Sequence, residues 1–594
     1  MRLNPRLARS VRLAAVLVAV VYGALLRLDA ISQRFAPVAA PHWLHRLELS
    51  RNGPSRLRPG AMAWPAERTY LHKDGAPSQY SSDPYTYLQY AREMRSFYAA
   101  HRREPLFPFA TKVWLRLLHD DDSAVSFASA SFSVLAIYLT FLLGRDAFSY
   151  AVGLGAALLW ALEFDVVTSA SSGWRDDAFT CAVLLTAWLA LRFDRQATVR
   201  RAVALGAAGG LACLVRITSL SFVVPVLVWL MAAGGRAWRP RARHIGIAAA
   251  AALVVAGPYL LNCWRVFGDP LYSINVHAGV YRATEGAGAA STDAISAREY
   301  LGAHLRARPM ATIDTVALGL TSYPFANKWQ GFDVWVPGLG RVLAGVSLAG
   351  LFLFVLFPAG RLLLLTLAAS LLPYAPTWRL IADWRFTEHA YPFFLIAACA
   401  APWIVADGIV RREALLGDRG RVRAALALSA VAAAAVIAAL LLVTRVMPRR
   451  VFEESLDAGE PATIMAGERD GAFFTADWPA LARSGAIETR IATAPRATIM
   501  VPLRAAAAYD LLLRADPSTA PVRAGAAVPP VQLLLNGRLL GVCDSGSAPD
   551  RIGLCRATLP ADAVRPGWNR LTLTADGAPG FRVWYVRVTK PAVR

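Results

Sequence analysis

Asp83 has the sequence setting of a catalytic acid or base. It stands directly before Pro84 in the segment SSDPYTYLQYAREM, where the spacing predicts an amphipathic helix with Tyr87, Leu88 and Ala91 on one face. Because a positioned carboxylate can take the proton from a hydroxyl nucleophile, Asp83 is a candidate general base. An Asp before Pro is also a common helix N-cap, which leaves a purely structural role open.

A second group of carboxylates lies in and before the segment SSGWRDDAF. Asp176 and Asp177 either take part in the same chemistry or cap the following helix, with Arg175 as their ion-pair partner. Glu163 and Asp165 come earlier, at the end of an apolar segment. A charged side chain costs about 2.5–3.5 kcal/mol at the bilayer centre and less toward the interface, so these two acids are expected to face a cavity. We expect the acids to converge on one outward-facing pocket.

The composition is that of an integral membrane protein. Of the 594 residues, 56% are hydrophobic and 18% are charged, and the mean hydropathy is +0.39. Soluble domains carry about 25% charged residues. The net charge of +22 would suit a nucleic-acid partner, but the arginines gather in alternate loops between apolar segments. That distribution indicates basic cytoplasmic loops and membrane-lipid contact, and no nucleic acid.

Eleven apolar windows are candidate membrane spans. They cover residues 13–26, 123–144, 147–162, 178–191, 202–215, 217–235, 245–264, 342–360, 362–378, 390–406 and 424–444. Nineteen arginines against four acids lie in the N-terminus and the alternate loops, which predicts a multi-pass inner-membrane protein with a cytoplasmic N-terminus and an outer C-terminus. Several windows are shorter than about 20 residues, which suggests an internal site. The first window also fits the apolar core of a signal peptide.

The windows divide the chain into a membrane domain, residues 1–445, and a C-terminal domain, residues 446–594. Two long loops of the membrane domain, 27–122 and 265–341, are predicted to be extracytoplasmic. The C-terminal domain instead alternates apolar residues with turn signals, in ATIMVPL, AYDLLLRA, VQLLLNGRLLGV, NRLTLTA and FRVWYVRVT. The Asn-Gly pair in the third segment predicts a hairpin. The pattern predicts a jelly-roll-like antiparallel β-sandwich in the periplasm.

The six cysteines fall into two groups. Four lie in apolar windows and are expected to be small buried hydrophobes: Cys181, Cys213, Cys263 and Cys399. Cys543 and Cys555 share the outer domain, where an oxidising compartment favours a disulfide worth about 3 kcal/mol.

The order of the polar segments resembles that of a known superfamily. A first span is followed by a long loop with an acid before a Tyr-containing helix, then by REPLFP, two spans and a short turn with the second acidic cluster. GGLACLVRITSLSFVVP, FGDPLYSINVHAGVYR and DWRFTEHAYPFF come later. Over residues 10–410 this order resembles the GT-C glycosyltransferases of the protein-O-mannosyltransferase and aminoarabinose-transferase type. The resemblance implies a multi-pass α-helical GT-C fold with about eleven transmembrane helices.

The resemblance also implies a reaction. A sugar would pass from a polyprenyl-phosphate carrier to a glycan, lipid or protein acceptor on the outer face, with inversion. Asp83 matches the family's first-loop acid, which serves as the base, and the second acidic position falls on Asp176 or Asp177. The last segment departs from the family pattern in the residues between Arg385 and the following Pro, which leaves the role of His389 open. Some relatives use a divalent metal ion and others do not.

A phosphate leaving group needs cations rather than a general acid. Basic residues predicted near the outer surface are the candidates for holding it: Arg103, Lys112, Arg216, Arg379 and Arg385. The rest of the predicted substrate site consists of Tyr85, Glu104, Arg175 and His389. For the arginines, anchoring to lipid head groups is the alternative. Aromatic residues near the acids, including Tyr87, Trp174 and Trp384, either stack on sugar or prenyl groups or belong to an interfacial belt.

Two other classes of protein are alternatives to an enzyme. A transporter or flippase of a lipid-linked solute usually shows internal repeats and broken helices at mid-membrane, whereas the polar residues here gather at the ends of the spans. A non-catalytic glycan-binding membrane protein would be favoured by loss of Asp83, which is present. The C-terminal sandwich resembles carbohydrate-binding jelly rolls, so it either recruits an acceptor glycan or serves as a lid or stability domain.

Overall fold

The computed structural model describes most of the chain. The described residues are 5–34, 82–233, 238–284, 294–326, 328–376, 384–410, 446–466, 469–484, 487–516, 530–543, 554–575 and 580–591. Among them the α-helices are α1 Pro5–Arg34, α2 Ser82–Glu93, α3 Leu106–Leu117, α4 Ala124–Ala147, α5 Tyr150–Leu162, α6 Phe164–Ser171, α7 Asp176–Arg195, α8 Val199–Val215, α9 Leu220–Ala232, α10 Trp238–Phe267, α11 Tyr272–Thr284, α12 Ala297–Ala307, α13 Pro309–Leu320, α14 Ser322–Ala326, α15 Leu339–Phe354, α16 Pro358–Leu371, α17 Tyr391–Val410 and α18 Met447–Asp457. Short 3-10 helices span Ile217–Ser219, Gln330–Val334, Trp384–Ala390 and Arg469–Phe473.

The described helices support a membrane-embedded chain. Four segments are long and apolar enough to cross a membrane: Ser10–Ser32, Ala124–Ala147, Arg239–Phe267 and Trp384–Ala406. Two bent pairs also qualify as single spans, α5 with α6 at 58° and α15 with α16 at 115°, so the described residues hold up to six. The predicted multi-pass helical fold is confirmed, whereas the predicted count of eleven spans stays a prediction. The window 424–444 lies outside the described residues.

The break between α5 and α6 has a local cause. The Glu163 carboxylate accepts a hydrogen bond from the backbone N–H of Val166 at 2.7 Å and so caps α6. Gly331 packs so closely that a Cβ there would lie 2.0 Å from a Glu163 oxygen. The sequence predicts that Glu163 faces a cavity. In the structure Glu163 is fully buried in these contacts and does not border an open cavity.

α2 joins the core of the membrane part through the predicted face. Tyr87, Leu88 and Ala91 are all buried and belong to the main hydrophobic core. Behind α2, the Ser126 hydroxyl of α4 donates a hydrogen bond to the Ser171 carbonyl of α6. The predicted amphipathic helix is therefore confirmed, and Asp83 stands in its first turn.

The chain divides into two compact units. The first comprises Met1–Tyr300 and Val316–Ala433, and the second comprises Leu301–Thr315 and Ala434–Arg594. The predicted boundary at 445/446 falls in or beside residues that the structure does not describe. Within the second unit, the Glu454 carboxylate accepts hydrogen bonds from the first backbone N–H groups of α13.

The second unit contains two antiparallel sheets. The strands are β1 Ala462–Met465, β2 Ala480–Ser484, β3 Ile487–Ala492, β4 Arg496–Leu503, β5 Tyr509–Asp516, β6 Val531–Leu535, β7 Arg538–Cys543, β8 Leu554–Leu559, β9 Gly567–Thr574 and β10 Phe581–Thr589. One sheet has the order β2-β3-β10-β5-β8, with β1 also paired to β10, and the other has the order β4-β9-β6-β7. Their inner faces share one core, which contains Leu511 and Val583 of the first sheet and Ile499 and Leu571 of the second. This arrangement confirms the predicted C-terminal β domain.

Local signals in the sandwich behave as predicted. The turn between β6 and β7 is Asn536-Gly537, with φ of 52° and 91°, the left-handed pair that a two-residue hairpin requires. Cys555 is disulfide-bonded, and the four cysteines of the apolar windows are free thiols. The side chain of Cys543 lies outside the described residues, so its pairing with Cys555 stays a prediction.

Candidate active site

Asp83 lies at the meeting point of two arginines. One carboxylate oxygen accepts a hydrogen bond from Arg103, and the other lies 3.4 Å from Nη1 of Arg385. The three residues come from α2, from the loop before α3 and from the 3-10 helix Trp384–Ala390. Burial raises the pKa of the Asp83 carboxyl, but Arg103, Arg385 and Arg175 outweigh it and hold this pKa well below its ordinary value.

A histidine on α11 holds Arg103 from the other side. Nη1 of Arg103 lies 3.1 Å from Nε2 of His277, and Nδ1 of His277 lies 2.6 Å from the carbonyl oxygen of Ser273. Because a carbonyl only accepts, Nδ1 carries the proton and Nε2 accepts from Arg103. Burial and the charges of Arg103 and Arg175 lower the pKa of His277 to about 4. The imidazole ring is therefore neutral, with its one proton on Nδ1.

Glu104 organises the neighbouring part of the site. One of its oxygens pairs with Arg175, and the other accepts from the backbone N–H of Ile217 and from the Ser273 hydroxyl, both at 2.9 Å. Burial raises the pKa of Glu104, but Arg175 and the backbone N–H of Ile217 lower it to about 2. The sequence interpretation that paired Arg175 with Asp176 and Asp177 is therefore wrong, because Glu104 takes up Arg175.

Arg216 and Asp176 form a buried ion pair. Arg216 donates from Nη2 to Asp176 and from Nη1 to the Tyr374 hydroxyl at 3.0 Å. Arg216 is 4% exposed, so the alternative that it anchors the protein to lipid head groups is wrong. Oδ2 of Asp176 has no hydrogen-bond partner among the described residues.

Asp177 has a different environment from its neighbour. Its Oδ2 accepts from the Ser129 hydroxyl at 2.7 Å, between α4 and α7, and the residue is fully buried. Arg27 of α1, also fully buried, donates to Ser133 on the same face of α4 at 2.8 Å. Asp177 therefore belongs to the helix interior, whereas Asp176 belongs to the arginine cluster around Asp83.

Aromatic side chains hold the arginines of the site. Tyr87 lies beneath both Arg103 and Arg175, at 5.5 and 5.8 Å from the guanidinium carbons to the ring centre. Trp174 lies 3.7 Å from Arg385. Trp384 contacts Lys328 instead. These distances fit cation–π attraction, so the rings help to hold the cations in place.

Other predicted site residues lie elsewhere or add little. Lys112 donates to the Met94 carbonyl and lines a separate cavity of about 680 Å³, so it is not part of the cluster around Asp83. His389 is 1% exposed and packs edge-on against Phe179 at 4.7 Å, without contact to Asp83. Tyr85 is partly buried against the core. Arg379 lies outside the described residues.

The sequence reasoning missed His277, Ser273 and Tyr374. His277 and Ser273 were visible in FGDPLYSINVHAGVYR, four residues apart and therefore on one helical face. Tyr374 carried no local signal, because it joins the site through a contact with a residue 158 positions away.

The described residues of the candidate site do not form a metal site. Across the part of the chain that the structure describes, no three His, Cys, Asp or Glu side chains are placed to hold one ion. Asp83 and Glu104 each bond to an arginine, which opposes a cation.

The chain matches a known family over part of its length. Residues 102–261 match the family model described as dolichyl-phosphate-mannose-protein mannosyltransferase, and this segment contains Arg103, Glu104, Asp176 and Arg216. No curated protein matches the sequence. Over these residues, the family match confirms the predicted resemblance to the GT-C glycosyltransferases.

Solved structures of three glycosyltransferases are similar to the chain. The oligosaccharyltransferase of Archaeoglobus fulgidus in the apo form has 13% identity and a TM-score of 0.36, over 70% of this chain and 54% of that one. ArnT of Cupriavidus metallidurans bound to undecaprenyl phosphate has 14% identity and a TM-score of 0.28, over 56% and 75%. The arabinosyltransferase EmbB of Mycobacterium smegmatis has 12% identity and a TM-score of 0.24, over 86% of this chain and 62% of that one. The chain spans about half the length of the archaeal enzyme.

Proposed function

We propose that the protein moves a sugar from a polyprenyl-phosphate carrier to an acceptor hydroxyl on a glycan, lipid or protein, with Asp83 as the general base. The description of the matching family names a lipid-phosphate sugar as donor and a protein as acceptor, which supports the donor class. The outer face of the inner membrane is the proposed place of the reaction, because the arginine-rich loops of the sequence lie at the other ends of the helices.

The observation that carries the proposal is the exposure of Asp83 among buried acids. The Asp83 side chain is 23% exposed, whereas those of Glu104 and Asp176 are 2% and 3% exposed. A base must reach the proton of its substrate within hydrogen-bond distance. Of these three carboxylates, Asp83 is therefore the one open to an acceptor, and the other two position arginines.

The arginines suit a phosphate leaving group. In the proposed step the acceptor oxygen attacks the anomeric carbon, the bond from that carbon to the phosphate oxygen breaks with its electron pair on the phosphate, and the acceptor proton passes to Asp83. Arg385 and Arg103 are placed to stabilise the charge that develops on the phosphate. A single displacement of this kind inverts the anomeric carbon.

The same two arginines regulate the base. While they bond to Asp83, they make the carboxylate weakly basic, because they hold its pKa low. A bound donor phosphate competes for their donors and so weakens their hold on Asp83. The pKa of Asp83 then rises only when the donor is present. Without the donor, the carboxylate therefore takes up a proton less readily.

Asp83→Asn tests the proposal, because the amide keeps the shape and cannot take the proton. We expect the purified variant to stay folded and to lose transfer by about 10²-fold or more, measured with a panel of radiolabelled polyprenyl-phosphate sugars. Asp120→Asn is the matched control, since Asp120 pairs with Arg92 outside the cluster. Near-wild-type transfer by Asp83→Asn would remove Asp83 from the mechanism.

The same panel separates the enzyme from the transporter alternative. An enzyme yields a new glycosidic product and free polyprenyl phosphate in detergent solution, where no membrane divides two compartments. A transporter or flippase yields neither product and moves the intact lipid in sealed vesicles. The absence of product with every donor, together with movement of intact lipid, would favour the transporter.

A further inference from the structure

A second polar cavity lies where α4 and α7 end and α8 begins. Its volume is about 480 Å³. The residues that line it are Arg145, Asp146, Arg192, Arg195, Gln196 and Arg201. Four guanidinium groups and one carboxylate therefore share one cavity.

The single acid of this cavity is already engaged. Asp146 Oδ1 lies 2.7 Å from Arg145, and Oδ2 accepts from the indole N–H of Trp188 at 2.8 Å. Its charge is thus matched by Arg145. The remaining three arginines leave an uncompensated positive charge, which an anion would neutralise.

Protein contacts hold two of these arginines in position. Nη1 of Arg201 donates to the carbonyls of Arg192 and Gln196, at 2.7 and 3.1 Å. Arg192 lies 5.0 Å from the ring centre of Trp188, at cation–π distance. Arginines that are fixed before a ligand arrives lose less side-chain entropy on binding.

The cavity lies at the far end of the helices that carry the candidate active site. α7 begins at Asp176 and Asp177 and ends at Arg195, and its 20 residues extend over about 30 Å. The hydrocarbon core of a bilayer is also about 30 Å thick. α4, which is a candidate span, likewise runs from Ser129 beside Asp177 to Arg145 at the cavity. The length of α7 therefore fits a position of the cavity at head-group level, at the helix ends opposite the active site.

We propose that this cavity binds the phosphate of an anionic phospholipid head group. Guanidinium groups pair with phosphate through two parallel hydrogen bonds, and basic pockets between transmembrane helices suit anionic head groups. A lipid places its phosphate at this depth, whereas inorganic phosphate would have to come from solution. The site is separate from the proposed transfer reaction and does not depend on it.

Thermal unfolding of the full-length protein in detergent tests the site. Phosphatidylglycerol, phosphatidylcholine and inorganic phosphate are added in separate titrations. The test variant is Arg192→Gln with Arg195→Gln, and the matched control is Arg200→Gln, an exposed neighbour that does not line the cavity. We expect phosphatidylglycerol to raise the unfolding temperature of the wild type, with an apparent affinity that falls about five-fold per arginine removed from the cavity and stays unchanged in the control.

Three results would overturn the assignment. Equal stabilisation by phosphatidylcholine would show that lipid charge is irrelevant. An equal loss of apparent phosphatidylglycerol affinity in Arg200→Gln would show that the lipid binds the basic surface in general and not this cavity. Saturation by inorganic phosphate at the same sites would make free phosphate the ligand. A test variant that unfolds without lipid is replaced by Arg195→Gln alone, read by native mass spectrometry of retained phosphatidylglycerol.

Discussion

Ser273 and His277 lie one helical turn apart on α11 and bond to adjacent residues of the loop before α3. The Ser273 hydroxyl donates to Glu104, and His277 accepts from Arg103. One face of a single helix thus positions both the arginine that contacts Asp83 and the glutamate that holds Arg175. Helix α11 therefore supports both the Arg103–Asp83 ion pair and the Arg175–Glu104 ion pair.

Substitution of His277 should therefore disturb Arg103. His277→Gln keeps an acceptor near the position of Nε2, whereas His277→Asn keeps a donor toward the Ser273 carbonyl and loses the acceptor. We expect the Asn variant to lose about ten-fold or more in kcat and the Gln variant to keep most of it, because a misplaced charge at the site is costly. Steady-state kinetics of the two variants measure this split. If both variants lose activity equally, the ring is needed for packing and not for Arg103.

Arg385→Lys should weaken donor binding. Lysine keeps the positive charge but loses the planar fork and the stacking on Trp174. We expect an apparent donor KM about ten-fold higher, with a smaller change in kcat. Arg298→Lys, at an exposed position, is the control. An unchanged donor KM would assign Arg385 to holding Asp83 alone.

Glu104 should give the stability of the membrane unit an acid-sensitive component. Its pKa is about 2, below the ordinary 4.5, so the folded state favours the charged form. This contribution is fully present above about pH 4.5 and is lost as the pH falls toward 2. Glu104→Gln should remove that pH dependence and lower stability by about 3–5 kcal/mol at neutral pH, because Arg175 is left buried without its partner. Detergent unfolding between pH 2 and 7 measures both effects, and an unchanged acid profile would contradict the assignment.

Removal of residues 446–594 tests the C-terminal domain. If the sandwich recruits a large acceptor, the truncated enzyme should keep transfer to a small acceptor and lose efficiency on the natural one, since tethering raises local acceptor concentration. Equal loss on both would indicate a lid or stability role. Because Glu454 bonds to the backbone N–H groups of Met310 and Ala311, Glu454→Gln serves as the control for loss of that support.

Features that depend only on residues close together in the chain were predictable from the sequence. Long apolar runs identify membrane helices from the sequence, because the bilayer acts on each segment separately. The helix that begins at Asp83 and the Asn536-Gly537 hairpin followed from spacing and from backbone preference, which are local properties. The resemblance to the GT-C glycosyltransferases rested on the order of short segments and needed no contacts.

Partners within the site were decided by the tertiary structure alone. Asp83 bonds to Arg103, 20 positions away, and to Arg385, 302 positions away, and no spacing rule connects such residues. The sequence predicts that acids and arginines gather, but it pairs Arg175 with the wrong acid and counts Lys112 in the site. A buried charge takes whichever opposite charge the helix packing brings within reach, because each unpaired charge would be costly. Only the packed helices therefore determine which carboxylate stays open to solvent and which ones hold arginines.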